Sequence, residues 1–294
     1  MEYAYYPGCS LHATAREYNE STMAVLEKIK ISDSEGVEFV EVDDWNCCGA
    51  LETTTMNHTL AMAAQARNLA IAAKQNRPLA MLCNACFFNH VKVNKELQEN
   101  DALRNEVSKI IHDDIKPVAI KHFLEIVVRD IGLDNISNAI TKPLNNLKVA
   151  PYYGCVLLRP SKVTAVDDHH NPSLFESLIE TLGGEAVDFS YKAKCCGGSL
   201  IATNENITYE MTRQILESAK EAGADCIATI CPLCQMALES IYLKEEKKRQ
   251  EKYNMPILYF TQLMGITFGL GKKELGLGRN FVSNDNLLKS LSVG

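Results

Sequence analysis

Nowhere in its 294 residues does this chain hold an apolar run long enough to cross a bilayer. Residues 59–73 are interrupted by Gln65 and Arg67, and residues 257–270 fall short of a span. The amino-terminal Met1-Glu2-Tyr3-Ala4-Tyr5-Tyr6 lacks the basic start and apolar core of a secretory signal. These absences predict a soluble, cytoplasmic protein. Positive charge is also scarce: the formal net charge is −7, which argues against a nucleic-acid partner but leaves room for a small anion in a local basic pocket. No bias toward disorder is present, since 46% of residues are hydrophobic and 23% charged. Tryptophan is limited to Trp45.

What the chain does have is cysteine in a repeated order. Cys47-Cys48-Gly49 has a twin in Cys195-Cys196-Gly197, and each pair anchors a larger set. In the first half, 37 residues separate Cys9 from Cys47, 34 separate Cys48 from Cys83, and two separate Cys83 from Cys86. In the second, 39 separate Cys155 from Cys195, 34 separate Cys196 from Cys231, and two separate Cys231 from Cys234. Ten of the eleven cysteines are thereby placed; Cys226 lies in an apolar run and reads as a small buried thiol. The repeat divides the chain into residues 1–146 and 147–294, each long enough for a domain with its own core.

The elements around the cysteines alternate. Strands are expected at residues 2–6, 37–42, 79–82 and 117–120, with helices at 14–30, 54–75, from Cys86 onward, 95–111 and 122–130. The second half repeats this, with strands at 147–153, 185–189, 226–230 and 256–259 and helices at 172–182, 200–222 and from Pro232 into the charged run Lys244–Arg249. After Gly271 the chain turns polar and glycine-spaced, as a tail that docks on a partner would. The fold class is α/β: two similar Rossmann-like domains with mainly parallel sheets, related by internal duplication. Each cysteine falls after a strand and before a helix, so the strand ends bring each set to one edge of its sheet. Helix amino termini there favour thiolates and a net-negative group.

Five thiolates per half exceed the four that zinc takes, although a cysteine pair plus Cys-x-x-Cys could hold structural zinc. A conventional cubane cluster also takes four cysteines, usually in a compact run that this chain lacks. Softness and ligand count favour an iron–sulfur centre of unusual nuclearity, or one with a bridging cysteine. A thioredoxin-type reading of either Cys-x-x-Cys leaves the paired cysteines without a role.

Cys, then Cys-Cys-Gly, then Cys-x-x-Cys, introduced by Tyr5-Tyr6-Pro7-Gly8-Cys9 and Tyr152-Tyr153-Gly154-Cys155, resembles the duplicated cysteine-rich CCG domain. Two copies filling residues 1–266 resemble the B subunits of the heterodisulfide reductases of methanogenic archaea. The resemblance implies reduction of the mixed disulfide of coenzyme M and coenzyme B to two thiols, the last step of methanogenesis. It implies two noncubane [4Fe-4S] clusters, one on Cys9, Cys47, Cys48, Cys83 and Cys86 and the other on Cys155, Cys195, Cys196, Cys231 and Cys234, with zinc in one half as the alternative. It also implies two partners of the heterodisulfide reductase, its C-type protein with cubane iron–sulfur clusters and its A-type flavoprotein, in an electron-bifurcating complex linked to a hydrogenase or formate dehydrogenase. A CCG-type electron-transfer component of a related reductase or hydroxy-acid dehydrogenase complex is the alternative function.

Around the motifs, His12 is a candidate proton donor, and its counterpart is Leu158, so the two sites differ in acid–base terms. His169 and His170 fit a turn beside Pro172. Arg16, Arg159, Lys162, Lys192 and Lys194 are candidate anion contacts or plain solvated charges. Trp45 either shields a cluster from water or packs in the core.

Overall fold

Each half of the chain builds one four-stranded, all-parallel sheet in a computed structural model that describes residues 1–32, 36–241 and 254–292. The first sheet comprises β1 (Glu2–Tyr6), β2 (Glu38–Glu41), β3 (Leu79–Met81) and β4 (Ile120–His122) in the order β2-β1-β3-β4. The second comprises β5 (Lys148–Tyr152), β6 (Glu185–Ala186), β7 (Cys226–Thr229) and β8 (Ile257–Tyr259) in the order β6-β5-β7-β8. The central strands β3 and β7 are buried throughout, as strands covered on both faces must be. Parallel pairing sets Tyr6 beside Met81 and Met81 beside His122, and in the second sheet Tyr152 beside Thr229 and Thr229 beside Tyr259.

Most expected elements stand within a few residues of their predicted bounds. The helix expected over 14–30 is Arg16–Ser32, and the one over 200–222 is a short 3₁₀ turn followed by Glu205–Glu221. The segment expected as a plain helix over 122–130 is a single helical turn, Phe123–Glu125, followed by a π-helix, Ile126–Gly132. The charged run Lys244–Arg249 lies outside the described residues.

The halves do not keep separate cores. Buried side chains of both form one continuous cluster. Helix Arg16–Ser32 of the first half meets helix Phe260–Thr267 of the second, where Tyr18 stacks on Tyr259 at 4.1 Å and the Ser21 and Thr261 hydroxyls lie 2.6 Å apart. Phe123, Phe175 and Phe260 meet at 5.6–6.1 Å between rings, and burying each contributes on the order of 2 kcal/mol. The segment after Gly271, expected to dock on a partner, docks on its own chain instead. Leu275, Leu277, Val282, Leu287 and Leu288 are buried, Arg279 pairs with Glu20, and the Glu239 carboxylate accepts the N–H groups of Phe281 and Val282. Its apolar side chains supply what the polar, glycine-spaced pattern concealed.

Candidate metal centre

The strand order brings the cysteines together. In the order β2-β1-β3, the carboxyl ends that lead to Cys47-Cys48, Cys9 and Cys83 are neighbours, and β6-β5-β7 repeats this for Cys195-Cys196, Cys155 and Cys231. In the first half Cys9 and Cys47 lie 3.5 Å apart, and Cys48 and Cys86 lie 3.3 Å apart. In the second, Cys196 and Cys234 lie 3.5 Å apart and Cys155 interacts with Cys195. Cys83 and Cys86 interact, as do Cys231 and Cys234. The two sets also meet: Cys83 of one half and Cys231 of the other interact sulfur to sulfur. Among the described residues the thiols form these contacts, and no group of three or more His, Cys, Asp or Glu is arranged around a single metal ion.

Local chemistry at each set is duplicated. Tyr6 donates its hydroxyl to the carbonyl of Asn46 at 2.8 Å, and Tyr152 does the same to Lys194 at 2.7 Å, so the strand before the first cysteine fixes the residue before the pair. Gly49 and Gly197 direct their N–H groups at Cys47 and Cys195 Sγ, both at 3.4 Å. Gly8 and Gly154 hold φ of +68° and +72°, and a Cβ on them would stand 3.3 Å from Cys86 Sγ and 3.1 Å from Cys234 Sγ. Glycine there serves both the turn and the room around sulfur.

Hydrogen bonding among the thiols separates their acidities. Cys47 is held far below the ordinary thiol value by Cys48 and Cys9, while Cys9 is raised by the same contact with Cys47. Cys195 is lowered to about 6 by Cys155. Cys231, fully buried, is lowered by Cys234 and Cys83. Thiolate is the form that binds metal, so each set holds at least one thiol already biased toward the ligating state. Ten soft donors, N–H groups aimed at sulfur and glycines clearing space beside it fit an iron–sulfur group. Cys226 stands apart, buried in β7 with its pKa raised by that burial.

The other candidates divide. His12 lies at the exposed rim, its Nε2 3.2 Å from Glu41, whose carboxylate also accepts the Trp45 indole N–H at 3.0 Å. Trp45 is half-buried and packs edge-on between Tyr6 and His12, at 5.4 and 5.1 Å. Leu158, the counterpart of His12, is buried. Lys192 is committed to Glu176 at 2.9 Å, and Lys194 is exposed near the ring of Tyr191. Arg16, Arg159 and Lys162 are exposed; Arg16 Nε donates to the His12 carbonyl and Arg159 to that of His169. His169 and His170 lie in a turn held by Asp168, whose carboxylate accepts the His170 and Asn171 N–H groups.

Four residues that the sequence reading does not single out stand around the cysteine sets. His90 is fully buried, with Nδ1 2.7 Å from the Cys86 carbonyl and Nε2 3.1 Å from Asn68, and burial lowers its pKa to about 4. Tyr18 donates to the carbonyls preceding Cys231 and Cys83. Asn84 donates Nδ2 to the Tyr153 carbonyl at 2.7 Å, while its buried Oδ1 has no hydrogen-bond partner among the described residues. His122 ends β4 with its ring edge-on to Phe87, and the charge of Cys231 acts on it. Two of them carry a signal in the sequence: Asn84 lies within Cys83-x-x-Cys86, and His90 is spaced i+4 from Cys86.

Comparisons with known proteins agree with this geometry. The profile of the cysteine-rich domain family, CCG, matches residues 3–89 and 149–239. The 8-methylmenaquinol:fumarate reductase membrane anchor subunit of Wolinella succinogenes is 31% identical over 97% of this chain and 99% of its own. The B subunit of the ferredoxin/F420H2-dependent CoB-CoM heterodisulfide reductase of Methanosarcina acetivorans is 29% identical over 97% and 95%. A crystal structure of a hypothetical protein from Helicobacter pylori shares the fold, with a TM-score of 0.75 at 16% identity; the match covers 96% of this chain and 52% of that one. Among the described residues no helix is long and apolar enough to cross a membrane.

Proposed function

This chain belongs to the cysteine-rich CCG domain family and carries the domain twice, and from that premise we propose that it is the disulfide-cleaving B subunit of a heterodisulfide-reductase-type complex. The family and relatives named as heterodisulfide reductase B subunits support an iron–sulfur electron-transfer role. The finer reading is that the two copies, meeting near residue 146, hold two noncubane [4Fe-4S] clusters on the ten cysteines and reduce the mixed disulfide of coenzyme M and coenzyme B. The observation that carries it is the contact of Cys83 with Cys231, which makes two complete cysteine sets neighbours.

The reaction consumes two electrons and two protons: R–S–S–R′ + 2 e⁻ + 2 H⁺ gives RSH and R′SH. When bound, the clusters supply the electrons one at a time, which is why two adjoining sites suit one disulfide. This chain's residues do the rest. Cys9 and Cys47 are exposed, so the first site is the accessible one. His12 Nε2, 3.2 Å from Glu41, is the candidate proton donor at that rim, where its ring meets Trp45, itself packed on Tyr6. Exposed Arg16 offers positive charge to an anionic substrate there. Electrons arrive from a C-type protein with cubane clusters, itself supplied by an A-type flavoprotein, in a cytoplasmic complex linked to a hydrogenase or formate dehydrogenase.

A second reading is favoured by the Wolinella relative: the same sites relay electrons within a complex of the fumarate reductase kind. Anaerobic assay with a reduced low-potential dye separates the two. Release of two thiols per coenzyme M–coenzyme B disulfide supports the first; dye oxidation only in the presence of a partner complex, without thiol release, supports the second.

A further inference from the structure

His90 lies four residues past Cys86 on helix Asn84–Glu99, with 0% exposure. Its Nδ1 faces the Cys86 carbonyl at 2.7 Å, and because a carbonyl oxygen only accepts, Nδ1 carries the proton. Nε2 of the neutral ring is then the acceptor, and it takes the Nδ2–H of Asn68 at 3.1 Å. Asn68, itself buried on helix His58–Ala73, turns the rest of its amide on one residue: Oδ1 accepts the Asn46 N–H and Nδ2 donates to the Asn46 carbonyl, both at 2.9 Å. Asn46 immediately precedes Cys47. Every polar side-chain atom of His90 and Asn68 is thereby engaged, and the two form an unbroken hydrogen-bonded chain from the carbonyl of Cys86 to the residue that carries Cys47. The Tyr6 hydroxyl meets the same Asn46 carbonyl at 2.8 Å, and the Tyr6 ring packs on His90 at 4.9 Å.

The second half lacks this chain. Gln65 and Thr212 hold equivalent carbonyls, Gln65 Nε2 donating to Cys48 at 2.8 Å and Thr212 Oγ1 to Cys196 at 3.4 Å. Three residues further along those helices Asn68 is matched by Ile215, and four residues past the second Cys-x-x-Cys His90 is matched by Leu238, both at 0% exposure. Lys194, the counterpart of Asn46, directs its N–H to the Tyr191 carbonyl at 3.1 Å and takes the Tyr152 hydroxyl on its own carbonyl. The second half thus keeps the tyrosine and replaces both members of the polar pair by apolar residues, a joint change that strands neither partner. Exposure differs in step: Cys9 and Cys47 are exposed, whereas Cys155 and Cys195 are half-buried.

We propose that His90 and Asn68 are a positioning pair for the first centre alone, holding Cys47 at a set distance from Cys86 where exposed sulfurs have no enclosing core to hold them. The inference rests on the iron–sulfur reading above and adds that the two centres are unequal in how firmly they are kept. A peptide gripped at both its N–H and its carbonyl cannot swing, and outer hydrogen-bond partners of this kind govern how tightly ligands keep their metal. Both residues act through the backbone of Asn46 and Cys86. The more enclosed second centre is held without them.

The test is loss of iron from the anaerobic, iron-loaded full chain to ferrozine, a ferrous-iron chelator, followed by electron paramagnetic resonance. The first centre's signal is the one that Cys9→Ala alters, and a urea midpoint is measured for each variant. His90→Leu is expected to load iron, to lose the first centre's signal about tenfold faster than wild type, as loss of one buried hydrogen bond would give, and to leave the second centre's rate unchanged. His90→Gln, whose amide can donate to the Cys86 carbonyl and accept from Asn68, is expected to match wild type. The double variant His90→Leu/Asn68→Ile installs the second half's own residues and separates positioning from stability: its urea midpoint is expected to recover from that of His90→Leu while the first centre stays labile. If His90→Leu does not fold, His90→Phe, which keeps a ring against Tyr6, takes its place. Loss from the first centre at the wild-type rate in the apolar variants, equal acceleration of both centres, or a double variant that regains the wild-type rate would overturn the inference, the last by assigning the pair to packing. Failure of all the apolar variants to load iron would overturn it too, since the second half holds its set with those residues. A wild type without iron would overturn the metal reading and the inference with it, whereas iron at wild-type level with unmoved rates overturns the inference alone.

Discussion

Tyr18 donates its hydroxyl to the carbonyl of Ile230 at 3.2 Å, across 212 positions of sequence, and lies 3.5 Å from the equivalent carbonyl of Leu82. Those carbonyls immediately precede Cys231 and Cys83. One buried proton thus ties together the strand ends that bring the two cysteine sets into contact. Tyr18→Phe keeps the stacking on Tyr259 and removes only the hydroxyl. It is expected to lower stability by about 1–2 kcal/mol, the cost of leaving buried carbonyls without their donor, measured by chemical denaturation, with iron uptake retained.

The contact of Cys83 with Cys231 predicts that cysteines differ in how far their removal is felt. Cys9 lies at an exposed rim, so Cys9→Ala is expected to alter the spectrum of one centre and leave the other as in wild type. Cys83→Ala strikes the joint, and both centres are expected to change, as read by iron content and electron paramagnetic resonance. Equal effects of the two substitutions would contradict this.

Much of this site is legible in the sequence, and the reasons are physical. Parallel strands force their carboxyl ends onto one edge, so cysteines after three strands of each half, repeated at nearly equal spacing, place each set at one edge of its sheet without any coordinates. The meeting of Cys83 with Cys231 is not legible, because spacing within a half says nothing about how the halves pack. Tyr18 escapes for the same reason: it sits in an ordinary helix pattern, and its partners Ile230 and Tyr259 lie in the opposite half. The carboxy-terminal segment reads as a tail because its apolar residues are spread among glycines and polar side chains, and only the groove of Glu17, Glu20 and Glu239 shows where it belongs.

Glu239 gives that segment a pH signature. It is 2% exposed, and burial, the largest effect, raises its pKa from 4.5 to about 7 against the bonds from Gln235, Phe281 and Val282. A raised folded-state pKa means that the native state binds more protons than the unfolded one between pH 4.5 and 7, so this stabilisation is full below 4.5 and is lost as pH rises through 7. The loss is on the order of 3 kcal/mol. His90 and His122, held at about 4, act in the opposite sense, weakening the fold as pH falls below 6.5. The stability of Glu239→Gln relative to wild type is therefore the quantity to follow by urea midpoint: it is expected to rise from pH 4.5 to 7 and then level. A flat difference would contradict the assignment.

His12 has Leu158 as its counterpart, so proton delivery is expected from the first site alone. His12→Ala is expected to reduce disulfide turnover about 10²-fold, within the range for loss of a general acid, with iron content unchanged. Leu158→Ala is expected to leave the pH profile of turnover as in wild type. Loss of iron from the His12 variant would instead place His12 in the ligand structure.

The central claim is that two cysteine quintets, joined at Cys83 and Cys231, each hold iron. Metal analysis of the anaerobically purified chain, read beside its electron paramagnetic resonance spectrum, tests it most directly. The account predicts about eight irons and matching sulfide per chain, from two [4Fe-4S] centres, with two signals that interact. One or two zinc ions per chain without sulfide, or a metal-free chain that still cleaves the disulfide, would contradict it.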